Sequence, residues 1–373
     1  MNTLKKLKVL GESAKYDLCN YVEQSPEAYI SGKIPGIYDS TLPGGQCIPI
    51  FKVLMTNKCS NDCKYCINCN SSKLEHYEFT PEELSNLFLD FYNKKYVEGL
   101  FLSSGVSNDI ESSMEREIDV ARILRDYGYD GYIHLKILPG TSYELIKRAM
   151  GLANRVSVNM ESPTPDGFEE LTTTKNFKID ILRRIKWIHR LTKKDHTMAP
   201  SGQTTQFIVG ATDESDEDIL KRTKWLYNKF EVKRSYFSPF SPLKDTPLEN
   251  HIGPHPKRTS RLYQADFLLN SYDFSLDELV FDQNGNIETE IDPKYSFAMN
   301  NMELFPVEVN EASFNELIRV PGIGKISANR IITLRKRGIK IRKMEELKNF
   351  GVAIKRAEPF IKLNKSYQSV LNI

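Results

Sequence analysis

Lys58-Cys59-Ser60-Asn61-Asp62-Cys63-Lys64-Tyr65-Cys66 sets three thiols at C-x3-C-x2-C spacing, directly behind an apolar run over 48–55. Thiolates this close in sequence can converge on one iron–sulfur cluster, and a cubane held by only three cysteines keeps one iron without a protein ligand. An open iron is a place where chemistry can happen. Structural zinc is the alternative, since Cys66-Ile67-Asn68-Cys69 is itself C-x2-C and Cys69 would supply a fourth ligand. A zinc knuckle usually joins two C-x2-C pairs across a longer loop. Four cysteines within eleven residues therefore favour the cluster, with Cys69 a spare thiol at the loop's edge.

This spacing, with the aromatic Tyr65 just before the third cysteine, resembles the signature of the radical S-adenosylmethionine (radical SAM) enzymes. The resemblance implies a [4Fe–4S] cluster on Cys59, Cys63 and Cys66 whose open iron chelates the amino and carboxylate groups of the methionine moiety. One electron from the cluster then cleaves the sulfonium to a 5′-deoxyadenosyl radical, while the protein orients both cofactors. It also implies reduced flavodoxin or ferredoxin as the electron donor.

The elements that must position such a loop follow in order. A helix is expected over 4–22, and Pro and Gly crowd 25–45 into a loop. Strands are expected over 48–55, 99–103, 132–137, 155–160, 206–209 and 233–237. Helices are expected between them, from the Thr80-Pro81-Glu82-Glu83 start to 96, then over 111–127, 141–153, 178–192 and 217–229. Six strands alternating with helices argue for parallel β/α units. With the cysteine motif, the expected fold is an α/β partial (β/α)6 TIM-like barrel of radical SAM type, followed by a small all-α helix-hairpin-helix domain. The boundaries expected are 1–46 (N-terminal helix and loop), 47–250 (barrel), 251–304 (helical connector) and 305–373 (hairpin domain).

Sites in such barrels lie at the C-terminal ends of the strands. The second strand ends in Ser103-Ser104-Gly105, where the superfamily often carries a Gly-Gly-Glu-like run receiving the amino group of S-adenosylmethionine. The fourth strand, with Ser157 and Asn159, runs into Glu161, where ribose hydroxyls and the methionine amine are commonly bound. The fifth, with Val209 and Gly210, resembles the adenine-contacting segment, although Gln206 replaces its first glycine. Ordinary strand ends are the plain alternative for all three. The aromatic and Pro-rich exit over 236–242 reads as barrel closure. His251 and His255 lie in a Pro/Gly loop without a further ligand cluster, so no metal role is assigned to them.

Further on, 314–332 carries a helix, a Pro321-Gly322-Ile323-Gly324 turn and a second helix starting near Lys325. It resembles the helix-hairpin-helix motif of DNA repair proteins, in which glycines let backbone N–H groups approach a phosphate without reading sequence. Charge agrees with this. Residues 313–365 hold fourteen Lys/Arg against four Glu, a net of +10, so with +2 for the whole chain the remainder carries 2 − 10 = −8. A basic module on an acidic body suits a polyanion.

A radical SAM barrel followed by this hairpin resembles the DNA modification/repair radical SAM protein family. The likeness runs through Ala14-Lys15-Tyr16-Asp17, the cysteine loop, 98–106, 261–266 and Phe305-Pro306-Val307. It implies a uracil-DNA-glycosylase-like partner. Family members tend to carry more cysteines near the N-terminus, and Tyr38 here stands where one is expected, which weakens any second cluster on Cys19, Cys47 and Cys69. Two other functions compete with action on DNA: RNA or transfer-RNA modification, and a non-catalytic redox sensor that binds DNA. Six cysteines suit a reducing compartment, and no signal peptide or membrane span is visible, so a cytoplasmic protein is expected.

Overall fold

The computed structural model describes residues 3–14, 34–41 and 47–363. They divide into two compact units, Met1–Glu214 with Arg222–Pro254, and Ser215–Lys221 with His255–Ile373.

The first unit is built on a seven-stranded sheet in chain order: β1 (Ile37–Thr41), β2 (Cys47–Leu54), β3 (Gly99–Ser103), β4 (Tyr132–Lys136), β5 (Arg155–Ser157), β6 (Gln203–Val209) and β7 (Arg234–Pro239). β2 to β7 pair in parallel, as the β/α alternation predicts. The sheet curls into a half-barrel, and Tyr236 of β7 comes within electrostatic reach of Tyr132 of β4, three strands away. Helices α1 (Thr3–Ser13), α2 (Pro81–Asn93), α3 (Ile110–Asp126), α4 (Tyr143–Leu152), α5 (Pro165–Leu171), α6 (Arg183–Lys194) and, from Arg222 on, α7 (Asp216–Phe230) accompany it. Leu100, Leu102, Ile133, Leu135 and Val156 on the strands, and Leu84, Phe88, Met114 and Ile146 on the helices, are wholly buried. Each such side chain contributes roughly 1.5–3 kcal/mol of transfer free energy.

Helix α2 starts where the sequence says. Thr80 and Glu83 form a reciprocal capping box, and Glu83 also accepts from Lys6 at 2.6 Å, tying α1 to α2. Three expectations need correction. The 25–45 stretch is not all loop, because Ile37–Thr41 pairs antiparallel on β2 as an extra edge strand. Its β-branched and aromatic residues outweigh the neighbouring Pro and Gly, and Tyr38 donates its hydroxyl to the Gly11 carbonyl at 2.8 Å. β6 begins at Gln203, three residues early, since its polar side chains are consumed internally: Gln203 donates to Ile185 and Phe230 carbonyls, and Thr205 to Val158. The 155–160 strand is regular only to Ser157. Beyond it the chain stays extended, with Met160 N–H on the Gln206 carbonyl, until Glu161 turns left-handed at φ 63°. Cys19 and most of the 4–22 helix beyond α1 lie outside the described residues.

The second unit carries α8 (Arg258–Ser271), α9 (Pro293–Asn300), a short parallel pair of β8 (Val307–Glu308) and β9 (Ile361–Lys362), and the hairpin helices α10 (Phe314–Arg319) and α11 (Lys325–Lys336), with α12 (Ile354–Ala357) behind them. Phe274, Phe297, Phe305 and Phe360 form its aromatic core, with successive ring centroids 5.1–6.5 Å apart. The hairpin and the stretch expected as a connector, from His255 onward, fall in this unit, whereas His251–Pro254 belong to the first. Among the described residues no helix is long and apolar enough to cross a membrane.

Candidate cluster site and nucleic-acid interface

The cysteine loop leaves β2 and is fastened on three sides. Toward β3, Met55 N–H donates to Ser103, Gly105 N–H to Thr56, and Ser60 N–H to Val106, each at 2.8 Å. Gly105 lies so close that a Cβ there would meet the Lys58 carbonyl oxygen at 2.4 Å and Cys59 Cβ at 3.2 Å. On the far side, Asp62 is a latch. Its carboxylate accepts from the Thr173 N–H at 2.9 Å and the Thr174 hydroxyl at 2.8 Å, and also from the Thr172 and Thr173 hydroxyls. Partial burial opposes ionisation of this carboxyl, but those hydrogen bonds outweigh it and hold Asp62 well below the usual range. Third, Lys64 N–H donates to Leu171 at 2.9 Å, and Tyr65 packs on Leu171, Ala211 and Phe240.

Cys63 is buried, while Cys59 and Cys66 are partly exposed. The three thiols lie within electrostatic reach of one another, and burial, then Cys63, pushes the Cys66 thiol up. Lys175 Nζ sits 2.9 Å from Cys63 Sγ. Burial pushes the Lys175 ammonium down, yet Cys63 and Glu161 outweigh it, so the cation is favoured. Val106 N–H points at Cys59 Sγ at 3.4 Å. Three mutually coupled thiols, one N–H and one buried cation fit a cluster with an open iron, since such a centre carries negative charge that hydrogen bonds and cations balance. Among the described residues no three His, Cys, Asp or Glu side chains gather as ligands of a single ion do. Cys69 is buried apart, with its Sγ 3.1 Å from Ser71 Oγ.

Around the thiols, Glu161 hydrogen-bonds the Tyr65 hydroxyl, which burial and then Glu161 hold protonated. The left-handed backbone of Glu161 is strained for a non-glycine residue and brings its carboxylate among Cys63, Tyr65 and Lys175. Asn159 reaches Glu161 and Gln206 at 3.4 Å, and Gln206 donates to Ser238 at 2.7 Å. These predicted residues therefore converge. Ser157 instead faces His134, with Oγ 2.9 Å from Nε2. Ser104 donates to its neighbour Gly105, and Val209 is wholly buried with its carbonyl taken by Phe240 N–H. Gly210, at φ 81°, lies where a Cβ would strike Pro254 at 2.7 Å, and its N–H donates to Glu214 at 2.6 Å. Asp62, Thr172 to Thr174 and Lys175 escape motif reading. Only the run of three threonines before a lysine, at the end of a short helix, hints at them.

In the second unit, Ser313 and Glu316 cap α10 reciprocally, and the turn leads from Val320 to Gly324 at the start of α11. Pro321 and Ile323 are buried, whereas Lys325 is exposed. The two glycines differ. At φ 86°, Gly322 faces the Ala353 carbonyl, which a Cβ would meet at 2.6 Å, so its smallness serves packing against α12. Gly324 has ordinary backbone angles and meets only the Tyr272 hydroxyl at 3.2 Å, so it is the open side of the turn. Several of the fourteen cations counted in the sequence are already engaged. Arg319 pairs with Glu278 at 2.7 Å, Arg356 with Asp292, and Arg335 holds the Ala312 and Glu311 carbonyls. Beside α11 a groove of 550 Å³ is lined by Asn329, Arg330, Thr333, Arg337 and Phe350.

Lys294 braces the turn, donating to the Ile323 carbonyl at 2.6 Å over the Tyr272 ring. Burial lowers its ammonium to about 7, against 10.5 for ordinary lysine. Between these values the unfolded chain binds the proton that the folded one has released, so folding stability rises with pH across that window. Thermal unfolding from pH 7 to 10 should show the parent gaining on Lys294→Met by at most about 1.4 kcal/mol per pH unit.

The sequence profile of the radical SAM superfamily matches residues 53–226, and that of a helix-hairpin-helix motif matches residues 305–352. Among solved structures, HydG, a maturase of the [FeFe]-hydrogenase, is 14% identical with a TM-score of 0.47, over 58% of this chain and 48% of its own. The HydG maturase from Carboxydothermus hydrogenoformans is also 14% identical at 0.47, over 58% and 50%. Methylornithine synthase (PylB) is 15% identical at 0.46, over 58% and 60%. The chain thus spans between 48% and 60% of the length of these structures. No curated protein matches.

Proposed function

We propose that this chain is a radical SAM enzyme, with a [4Fe–4S] cluster and S-adenosylmethionine as cofactors, that acts on DNA to modify or repair a base; the match of residues 53–226 to the radical SAM profile supports the first part. Cys59, Cys63 and Cys66 hold the cluster, which when bound supplies the electron that cleaves S-adenosylmethionine. Lys175, a buried cation beside Cys63, is placed to receive the methionine carboxylate. Glu161 and Asn159 offer acceptors for the methionine amine and ribose hydroxyls, with Ser103, Ser104 and Gly105 on the β3 side and Val209 and Gly210 on the β6 side. The Asp62 latch and the packed Tyr65 fix the position of the loop whose cysteines would hold the cluster. A flavodoxin or ferredoxin delivers the electron, a uracil-DNA-glycosylase-like protein is the partner, and a reducing, cytoplasmic setting keeps the thiols available.

The observation that carries DNA as substrate is the hairpin. Gly324 opens one side of the turn, and Lys325 stands exposed at the start of a twelve-residue helix. Phosphate contacts there position a duplex without reading sequence. Each contact neutralised adds about −0.9 to the slope of log affinity against log salt. Lys325→Ala should flatten that slope by about one unit, and Gly324→Val should weaken binding further by obstructing the open side. Gly322→Val is expected to unsettle the unit itself, because Ala353 occupies the space its side chain needs. Parent-like DNA binding by Lys325→Ala and Gly324→Val at several salt concentrations would make the hairpin a protein-contact module and remove DNA from the proposal. Stimulation of S-adenosylmethionine cleavage by transfer RNA but not by DNA would favour the RNA reading instead.

A further inference from the structure

β2 to β7 turn alternate side chains into the barrel, and their register sets Lys52, Phe101, His134 and Arg155 side by side on four successive strands. Lys52 Nζ lies 4.5 Å from the Phe101 ring centroid, and that ring meets His134 edge-on at 4.4 Å. His134 is held well below the ordinary histidine range by burial and by Arg155, Lys52 and Lys136, so three cations surround a neutral imidazole. Tyr132, one step along the same face, hydrogen-bonds Arg155. No residue on the inward face of these six strands is acidic, while Glu117 of α3 acts on Lys136. Two polar atoms on this face lack partners in the protein. Arg155 Nε and Thr204 Oγ1 are both buried without a hydrogen bond, and a guanidinium N–H in that state is costly unless an acceptor meets it.

We propose that Lys52, His134 and Arg155, with Thr204 and the rings of Phe101 and Tyr132, form a seat inside the barrel for the phosphate of a nucleotide. The planar fork of Arg155 and the point charge of Lys52 complement a phosphate's oxygens, and the hydroxyl of Thr204 adds a donor. This seat lies in the barrel unit and owes nothing to the hairpin. It rests on the nucleic-acid reading and sharpens it: the group that enters is a phosphate attached to a nucleoside. Its source is either a free mononucleotide or a nucleotide turned out of a DNA strand.

Calorimetric titration of the full chain with deoxynucleoside 5′-monophosphates, the corresponding deoxynucleosides and short single-stranded oligodeoxynucleotides, at one salt concentration, tests this. If free nucleotides are the source, monophosphates bind more tightly than nucleosides, and Arg155→Gln weakens them about tenfold, whereas Arg155→Lys, which keeps the charge but not the fork, weakens them less. If the source is a DNA strand, the same loss appears only with oligonucleotides, measured in a Lys325→Ala background so that the hairpin does not mask it. Lys52→Gln and Thr204→Val repeat the test should Arg155→Gln fail to fold. If no ligand's affinity responds to any of these substitutions in folded protein, the seat falls, whatever the hairpin's salt slope shows. If the seat responds and the hairpin slope does not, DNA alone falls as substrate.

Discussion

Replacing Cys63 by Ala is expected to leave the protein without iron after anaerobic reconstitution and without reductive cleavage of S-adenosylmethionine. Of the three thiols Cys63 is the buried one, and it alone receives the Lys175 ammonium, at 2.9 Å. Its loss removes a proposed ligand and the nearest counter-charge of a buried cation, leaving Glu161 and Cys59 to balance it, a change costing several kcal/mol in comparable buried pairs. Cys63→Ser, which keeps an acceptor for Lys175, should restore folding stability but not iron. Cys69→Ala is the companion measurement, because Cys69 would be the fourth ligand of a zinc site. Iron content and 5′-deoxyadenosine yield at the parent's level in Cys69→Ala, with both absent in Cys63→Ala, is the expected pair. Zinc in the purified parent that vanishes on replacing Cys69 would overturn the cluster.

Gly105→Ala is expected to be nearly as damaging although no ligand is touched. The added methyl would lie 2.4 Å from the Lys58 carbonyl oxygen, and backbone cannot swing aside as the tip of a flexible side chain can. The loop must move, and Cys59, whose Cβ lies 3.2 Å from the same point, moves with it. Overpacking of this kind costs roughly 1–3 kcal/mol, a loss a barrel of this size survives, so far-UV circular dichroism should stay native while iron incorporation collapses. Gly151→Ala is the contrast. That glycine sits in α4 with nothing within 4 Å of an added Cβ, and the substitution should stabilise by about 0.5–1 kcal/mol with full iron content. Equal iron in the two variants would remove Gly105 from the support of the cluster loop.

Much of the barrel is legible in the chain because its signals are local. Thr80-Pro81-Glu82-Glu83 starts a helix by capping alone, and Gly99–Ser103 is apolar throughout its middle. What was hidden depends on partners distant in sequence. The polar start of β6 reads as loop until Gln203 finds the carbonyls of Ile185 and Phe230. β1 exists only because β2 offers an edge to it. The site divides the same way. Three cysteines announce themselves by spacing, whereas Lys175 lies 112 residues from Cys63 and no periodicity connects them. Of the two hairpin glycines read alike in the sequence, an added Cβ at Gly324 meets only a side-chain hydroxyl, while Gly322 answers to Ala353, 31 residues downstream and invisible to a motif.

The clasp between Asp62 and Thr172 to Thr174 bears on how the proposed cluster on Cys59, Cys63 and Cys66 would be assembled. Most short cysteine loops are shapeless until metal arrives, because only the metal closes them. Here five donors from a distant segment already fix the residue next to Cys63. On the proposed ligand set, loading is then expected to fill a socket rather than fold a loop. Amide hydrogen exchange across residues 59–66 should accordingly differ little between metal-free and loaded protein, while Asp62→Ala should make that exchange fast in the metal-free form and slow again only once iron is bound.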